Sequence, residues 1–168
     1  MENIEIRETL PEDAERIIEY IKKIGGETDN LTFGKEGLPV TVDQEKEYLK
    51  QVYDSKHSVH YSVWKNGKII GDGGLTGLPR RMSHRAEMGL SVVKAEWNKG
   101  IGSMLLNKLI EYARQNDIEI IDLEVRSDNV RAIHLYEKYG FKHAGTRPAY
   151  FKIGNEYFDF EMMYLDLR

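Results

Sequence analysis

The stretch from Ala86 to Ser103 constrains the fold most. An alternating strand runs into Trp97-Asn98-Lys99-Gly100-Ile101-Gly102-Ser103, and a helical pattern follows. Strand, glycine-containing turn and helix together make a cradle for phosphate. Glycines let the backbone approach an anion, and the free N–H groups of the first helical turn point at it. The helix dipole adds a modest attraction. In this chain the donors are the N–H groups from Asn98 to Ser103. Two related motifs are excluded. A P-loop needs a lysine after its last glycine, and none follows Gly102. A dinucleotide turn needs a third glycine where Leu105 stands. Taken alone, the turn equally suits a helix that starts tightly.

The rest of the chain surrounds this unit with alternating and helical patterns. A short strand around Ile4 and Arg7 precedes a helix opened by Pro11, with Thr9 placed to cap it. Ala14, Ile17, Ile18 and Ile21 recur at helical spacing, and Gly25-Gly26 ends the run. Glu27 to Pro39 has no period and reads as a loop. A second helix is predicted from Val42 to Tyr53, with Tyr48, Leu49 and Val52 as its apolar stripe. Val59, Tyr61 and Val63 share one strand face, Asn66-Gly67 is a hairpin turn, and Lys68 to Leu75 returns. Ala86 to Val93 is a third strand. The helix after the glycine turn runs to about Asn116. A strand from Ile120 to Arg126, a helix from Asn129 to Tyr139 capped by Gly140, and a hairpin around Gly154-Asn155 complete the order. A mixed α/β domain follows, with no repeat or linker to divide residues 1–168.

Composition narrows the chemistry. The chain has no cysteine, so disulfides, thiolate metal sites and a thiol nucleophile are all excluded. The net charge is −4 and basic residues occur at most in pairs such as Lys22-Lys23, which argues against nucleic acid as a partner. The acidic start lacks the apolar core of a signal peptide, and no apolar run approaches the ~20 residues that span a bilayer. The expected location is cytoplasmic, without membrane contact. Five histidines show no ligand spacing. His57 and His60 lie three apart on a strand and so face opposite sides, and all five read as ordinary surface or core residues.

A second segment, Leu123-Glu124-Val125 through Asn129, Ala132, Tyr136 and Gly140-Phe141, carries the pattern L-x-V-x-x-x-N-x-x-A-x-x-x-Y-x-x-x-G-F. Together with the turn at Trp97 to Ser103, it resembles the GNAT superfamily of acetyl-CoA-dependent N-acetyltransferases. The resemblance covers about residues 86–141; outside it, only the order of elements fits. It implies the family's α+β fold, a mostly antiparallel mixed sheet flanked by helices, with a central strand pair splayed at 86–93 and 120–126. It implies acetyl-CoA as co-substrate, no metal, an amine acceptor (a small molecule, a protein N-terminus or a lysine), and a homodimer as in relatives. Leu90, Ser91 and Val92 match the strand that pairs with pantetheine. Asn98, Lys99, Gly100, Ile101, Gly102 and Ser103 match the pyrophosphate loop, and Asn129 matches an asparagine on the CoA arm. Tyr136 matches a general acid near the sulfur, and Glu124 a base used by some relatives. Where the family has Gln or Arg, this chain has Trp97, most simply a plug at the loop base.

These residue types suit acyl transfer. An amine attacks a thioester only when neutral, and a free lysine amine has a pKa of ~10.4. A carboxylate takes the proton, directly or through water. The candidates are Glu124, Glu87 in the preceding strand, and Asp72. A backbone N–H at Val92 would hold the oxyanion, and Tyr136 would protonate the departing thiolate. Direct transfer in a ternary complex needs no enzyme nucleophile. By periodicity alone Tyr136 is a core aromatic and Glu124 a solvated strand residue. The competing reading is a CoA-binding regulatory module without turnover.

Overall fold

The computed structural model describes residues 2–168. Strand β1 (Ile4–Glu8) leads through a 3-10 turn at Pro11–Asp13 to α1 (Ala14–Gly25) and α2 (Val42–Asp54). Strands β2 (Val59–Lys65), β3 (Lys68–Gly77) and β4 (Arg85–Val92) follow. Then come α3 (Ile101–Gln115), β5 (Ile120–Arg126), α4 (Val130–Lys138), β6 (Lys142–Ile153) and β7 (Glu156–Asp166). The seven strands form one sheet in the order β1-β2-β3-β4-β5-β7-β6. The element order and the mixed, mostly antiparallel sheet agree with the sequence expectation.

The β4–β5 pair positions the site. It is the parallel pair of the sheet, and its pairing covers only Arg85–Glu87 against Ile120–Asp122. Beyond Glu87 the two strands diverge, which is the splay the resemblance implied. The hairpin turn also forms as read: Asn66 and Gly67 both have positive φ, 51° and 74°, as a type I′ turn requires.

The sheet has one apolar and one polar face, and strand register sets both. Gly71 and Gly73 face α3, where a Cβ on Gly71 would stand 2.9 Å from Ile101. The glycines therefore let α3 settle close to the sheet. Leu105, Leu106 and Leu109 of α3 are fully buried there. Residues of opposite phase face α1 and α2. Pairing of Ser62 with Asp72, Asp72 with Ser91, and Glu87 with Asp122 puts these polar groups on one surface. His60 and Glu124 share that phase.

Thr9 does not cap α1, contrary to expectation. Its hydroxyl is buried against Ser62 Oγ at 2.6 Å. No side chain caps α1; Asp13 instead closes the 3-10 turn before it, its carboxylate accepting from Leu10 N–H at 2.8 Å and from two Arg7 nitrogens at 2.8 and 2.9 Å. Burial pushes the Asp13 carboxyl up, but the Arg7 and Leu10 bonds outweigh it and hold the group below its ordinary value. A lowered pKa stabilises the fold above the unfolded value of ~3.9, and the contribution is lost as pH falls through the folded value. Asp13→Asn should cost roughly 1–2 kcal/mol at neutral pH, since Arg7 is partly solvated. Urea melts should show the difference shrinking below pH ~4.

Candidate active site

The turn between β4 and α3 is built as the sequence implied. Asn98 and Gly100 adopt positive φ of 61° and 84°, conformations that Asn and Gly tolerate best. The first helical bond of α3 is Met104 N–H to the Gly100 carbonyl, at 3.0 Å. The N–H groups ahead of it lie outside the helical ladder and are available to an anion. They border a cavity of about 270 Å³, lined by Asn98, Gly100, Ile101, Gly102 and Ser103 on one side and by Leu90, Ser91 and Val92 on another. Lys99 is not part of that lining; it reaches Glu96 at 3.3 Å.

Trp97 braces the loop rather than plugging it. Its indole N–H donates to the Val92 carbonyl at 2.8 Å, and the Arg131 guanidinium stacks 3.7 Å above its ring. One side chain thus fixes the end of β4 and holds a cation from α4 beside the loop.

The β4 backbone divides by phase. Val93 N–H donates to the Ile70 carbonyl at 2.9 Å. In an antiparallel ladder the alternate residues then turn their N–H groups away from β3. Leu90 and Val92 therefore point theirs into the β4–β5 gap, whereas Ser91 points its own to β3. Of the three matched positions, Ser91 contributes its side chain instead, bonded to the Tyr20 hydroxyl at 2.9 Å.

A larger cavity of about 880 Å³ lies across the gap on the polar face. Its floor includes Glu87, Glu124 and Asp72, and its roof includes Leu31, Phe33 and Leu38 from the segment between α1 and α2. That segment is tied down on both sides. Glu27 accepts from Lys94 N–H at 2.7 Å, and Arg126 donates to the Asp29 carbonyl at 3.3 Å. Gly25 must be glycine there, because a Cβ would lie 2.0 Å from the Gly34 carbonyl oxygen.

Tyr136 sits where the two cavities meet, as do Leu90, Ser91 and Asn129. The Tyr136 ring is buried and packs on Phe141 at 5.6 Å between centroids. Burial pushes its phenol up to about 12, so it keeps its proton across the neutral range. Asn129 caps α4, its side-chain oxygen accepting from Ala132 N–H at 3.3 Å. This fixes the helix that carries Tyr136.

The carboxylates differ in their surroundings. Glu124 pairs with Arg147 at 3.0 Å, and as a hydrogen-bond partner it raises the Tyr150 phenol. Glu87 is exposed to the cavity without an ion-pair partner among the described residues. Glu87 stands in the stretch where β4 and β5 still pair, and Glu124 stands beyond it, where the strands have diverged.

Two functional candidates were missed in the sequence. His60 is not an ordinary histidine: it faces the larger cavity and pairs with Asp72 through Nε2. Burial pushes its ring down, but Asp72 outweighs that and the pKa is raised. Glu45 of α2 also lines this cavity and is 6% exposed. Its signal was present, because Glu45, Tyr48, Leu49 and Val52 form one i, i+3, i+4, i+7 stripe. No group of three or more His, Asp or Glu residues is arranged to hold a metal among the described residues.

Comparison with known proteins agrees with this geometry. Residues 29–141 match the model of the acetyltransferase (GNAT) family. The chain is 32% identical over 100 residues to N-alpha-acetyltransferase RimI of Mycobacterium tuberculosis, covering 59% of this chain and 61% of that protein. It is 39% identical over 82 residues to the L-amino acid N-acetyltransferase AaaT of Escherichia coli, covering 48% and 50%. The matches thus span only about half to three-fifths of these relatives. Among solved structures, a GNAT-family acetyltransferase from Streptococcus pneumoniae superposes with a TM-score of 0.94 at 28% identity, covering 98% of this chain and 99% of that one. An acetyltransferase from Salmonella typhimurium, solved with its cofactor acetyl-CoA, superposes with a TM-score of 0.85 at 20% identity, covering 98% and 94%. On the family match, which extends over most of its length, the chain belongs to the GNAT family of acetyltransferases.

Proposed function

We propose that this protein transfers the acetyl group of acetyl-CoA to an amine, directly, within a ternary complex. The observation that carries the reading is the meeting of the two cavities at Tyr136. The smaller cavity suits a pyrophosphate. Its loop offers backbone N–H groups at a helix start, and Gly102 leaves room that a side chain would fill. Pantetheine would run along the β4–β5 gap, where Leu90 presents its backbone groups and Val92 its N–H, the Val92 carbonyl being taken by Trp97. The thioester would then lie beside Tyr136, with the amine entering from the larger cavity.

In this reading Glu124 removes the amine's proton through one bound water. Glu124 stands in the splayed stretch where the thioester would lie, whereas Glu87 stands in the paired stretch before it. The neutral amine attacks the thioester carbon, and the Val92 N–H holds the oxyanion. The C–S bond breaks, and sulfur takes the Tyr136 proton as CoA leaves. Tyr136 is reprotonated from solvent. Arg147 holds Glu124 in place without taking part in the transfer.

The test compares kcat/KM for CoA release across pH in Glu124→Gln and Glu87→Gln. Glu124→Gln should lose the acidic limb and about 10²-fold or more in rate, while Glu87→Gln keeps the limb. An unchanged acidic limb in Glu124→Gln would remove it as the base.

A further inference from the structure

The larger cavity carries a feature that acetyl transfer to a simple amine does not require. Glu45 is buried to 6% exposure and faces the cavity, yet its carboxylate has no hydrogen-bond or ion-pair partner among the described residues. Nearby, Asp72 is shared with His60. The Glu45 oxygens are not sealed off but open into the cavity, so a cation entering there meets an unpaired carboxylate. Burial pushes the Glu45 carboxyl up, with the His60 ring opposing.

The charges around it point to one ligand class. Carboxylates on this wall and floor are Glu45, Asp72, Glu87, Asp122 and Glu124; Asp122 is paired with Arg85, Glu124 with Arg147 and Asp72 with His60, which leaves Glu45 and Glu87 without a cation among the described residues. The basic residues that line the cavity are His60 and Arg126. His60 is held by Asp72, and Arg126 donates to both Asp128 oxygens at 2.7 and 2.6 Å. No unpaired cation is left there for a carboxylate on the acceptor. The roof is apolar.

We propose that the acceptor carries a second ammonium group, held by Glu45 beside the His60–Asp72 pair, while its first amine is acetylated at Tyr136. The position of the first amine rests on the acetyl-transfer reading above. Asp72 is the register partner of Ser91, at the junction of the cavities. One to two strand spacings, ~5–10 Å, separate Ser91 from Asp72 and His60, the pair beside which Glu45 would hold the second charge. A short α,ω-diamine spans that distance. Its methylenes would lie under Leu31, Phe33 and Leu38.

The experiment uses 1,4-diaminobutane and butylamine, which share a chain and differ in one ammonium. Calorimetry measures binding of each to the CoA-loaded protein, and steady-state CoA release measures transfer. The diamine should bind on the order of tenfold or more tighter than butylamine, and its kcat/KM should be higher by a similar factor. Glu45→Gln, which keeps the side-chain shape, should collapse both ratios toward one. Glu45→Ala should do the same, and CoA-induced thermal stabilisation of each variant checks that it is folded. Diamine binding that Glu45→Gln weakens, without any CoA release, would support the ammonium site and sink the transfer reading instead. Equal binding of the two amines by the unaltered protein, no binding of the diamine, or a binding ratio that survives Glu45→Gln would overturn the proposal.

Discussion

Tyr136→Phe should lower kcat by about 10²–10⁴-fold while the affinity for CoA stays within a few-fold of the original. The substitution removes one oxygen and leaves the ring, its contact with Phe141 and the neighbouring helix cap as they are. The phenol, pushed up to about 12, is protonated throughout the neutral range. It can therefore donate to a departing sulfur throughout that range. The loss should appear in kcat and kcat/KM alike, because the interaction forms only as the C–S bond breaks. Pre-steady-state measurement of CoA release separates this chemical step from product release. Equal turnover in the variant would make Tyr136 a packing residue at the cavity junction and nothing more.

Gly102→Val should act on the other half of the reaction. A Cβ at this position lies 3.2 Å from the nearest heavy atom, a Leu135 methyl, so the fold needs to yield by only a few tenths of an ångström. Gly102 and Leu135 both line the smaller cavity, so the added methyls take space where the pyrophosphate would meet the first turn of α3. Displacing an anion from one or two backbone donors removes on the order of 3 kcal/mol, or about 100-fold in affinity. Calorimetric titration with CoA should show that loss, and the melting temperature of the free protein should change little. Unaltered CoA affinity would mean that the turn is only a tight helix start.

The sequence disclosed the parts of this molecule whose physics is local. The alternation of Val59, Tyr61 and Val63, the Asn66-Gly67 turn and the glycine turn before α3 depend on near neighbours, and each forms as read. The splay between β4 and β5 was legible only through family resemblance, since no periodicity encodes where two distant strands stop pairing. Thr9 misled because a hydroxyl before a helix ordinarily caps it, whereas the fold brought Ser62 to it from across the chain. The polar floor of the larger cavity was half legible. Asp72, Glu87, Ser91, Asp122 and Glu124 share a strand phase, but only the register of three strands places them on one surface. Glu45 sits inside a visible helical stripe with Tyr48, Leu49 and Val52, but belongs to no motif. A carboxylate within an apolar stripe is the signal to look for in such helices.

Thermal melting of the unaltered protein and of Gly102→Val, each with acetyl-CoA, CoA, ATP and NAD, tests the central claim most directly. A ligand at a hundredfold excess over its Kd adds about 2.7 kcal/mol to the folded state, a shift of roughly 5–10 °C for a domain of this size. Acetyl-CoA and CoA should produce that shift in the unaltered protein, ATP and NAD should not, and Gly102→Val should lose most of it. No shift with acetyl-CoA, or the same shift in the variant, would contradict the assignment of the glycine turn as the site of the acyl donor.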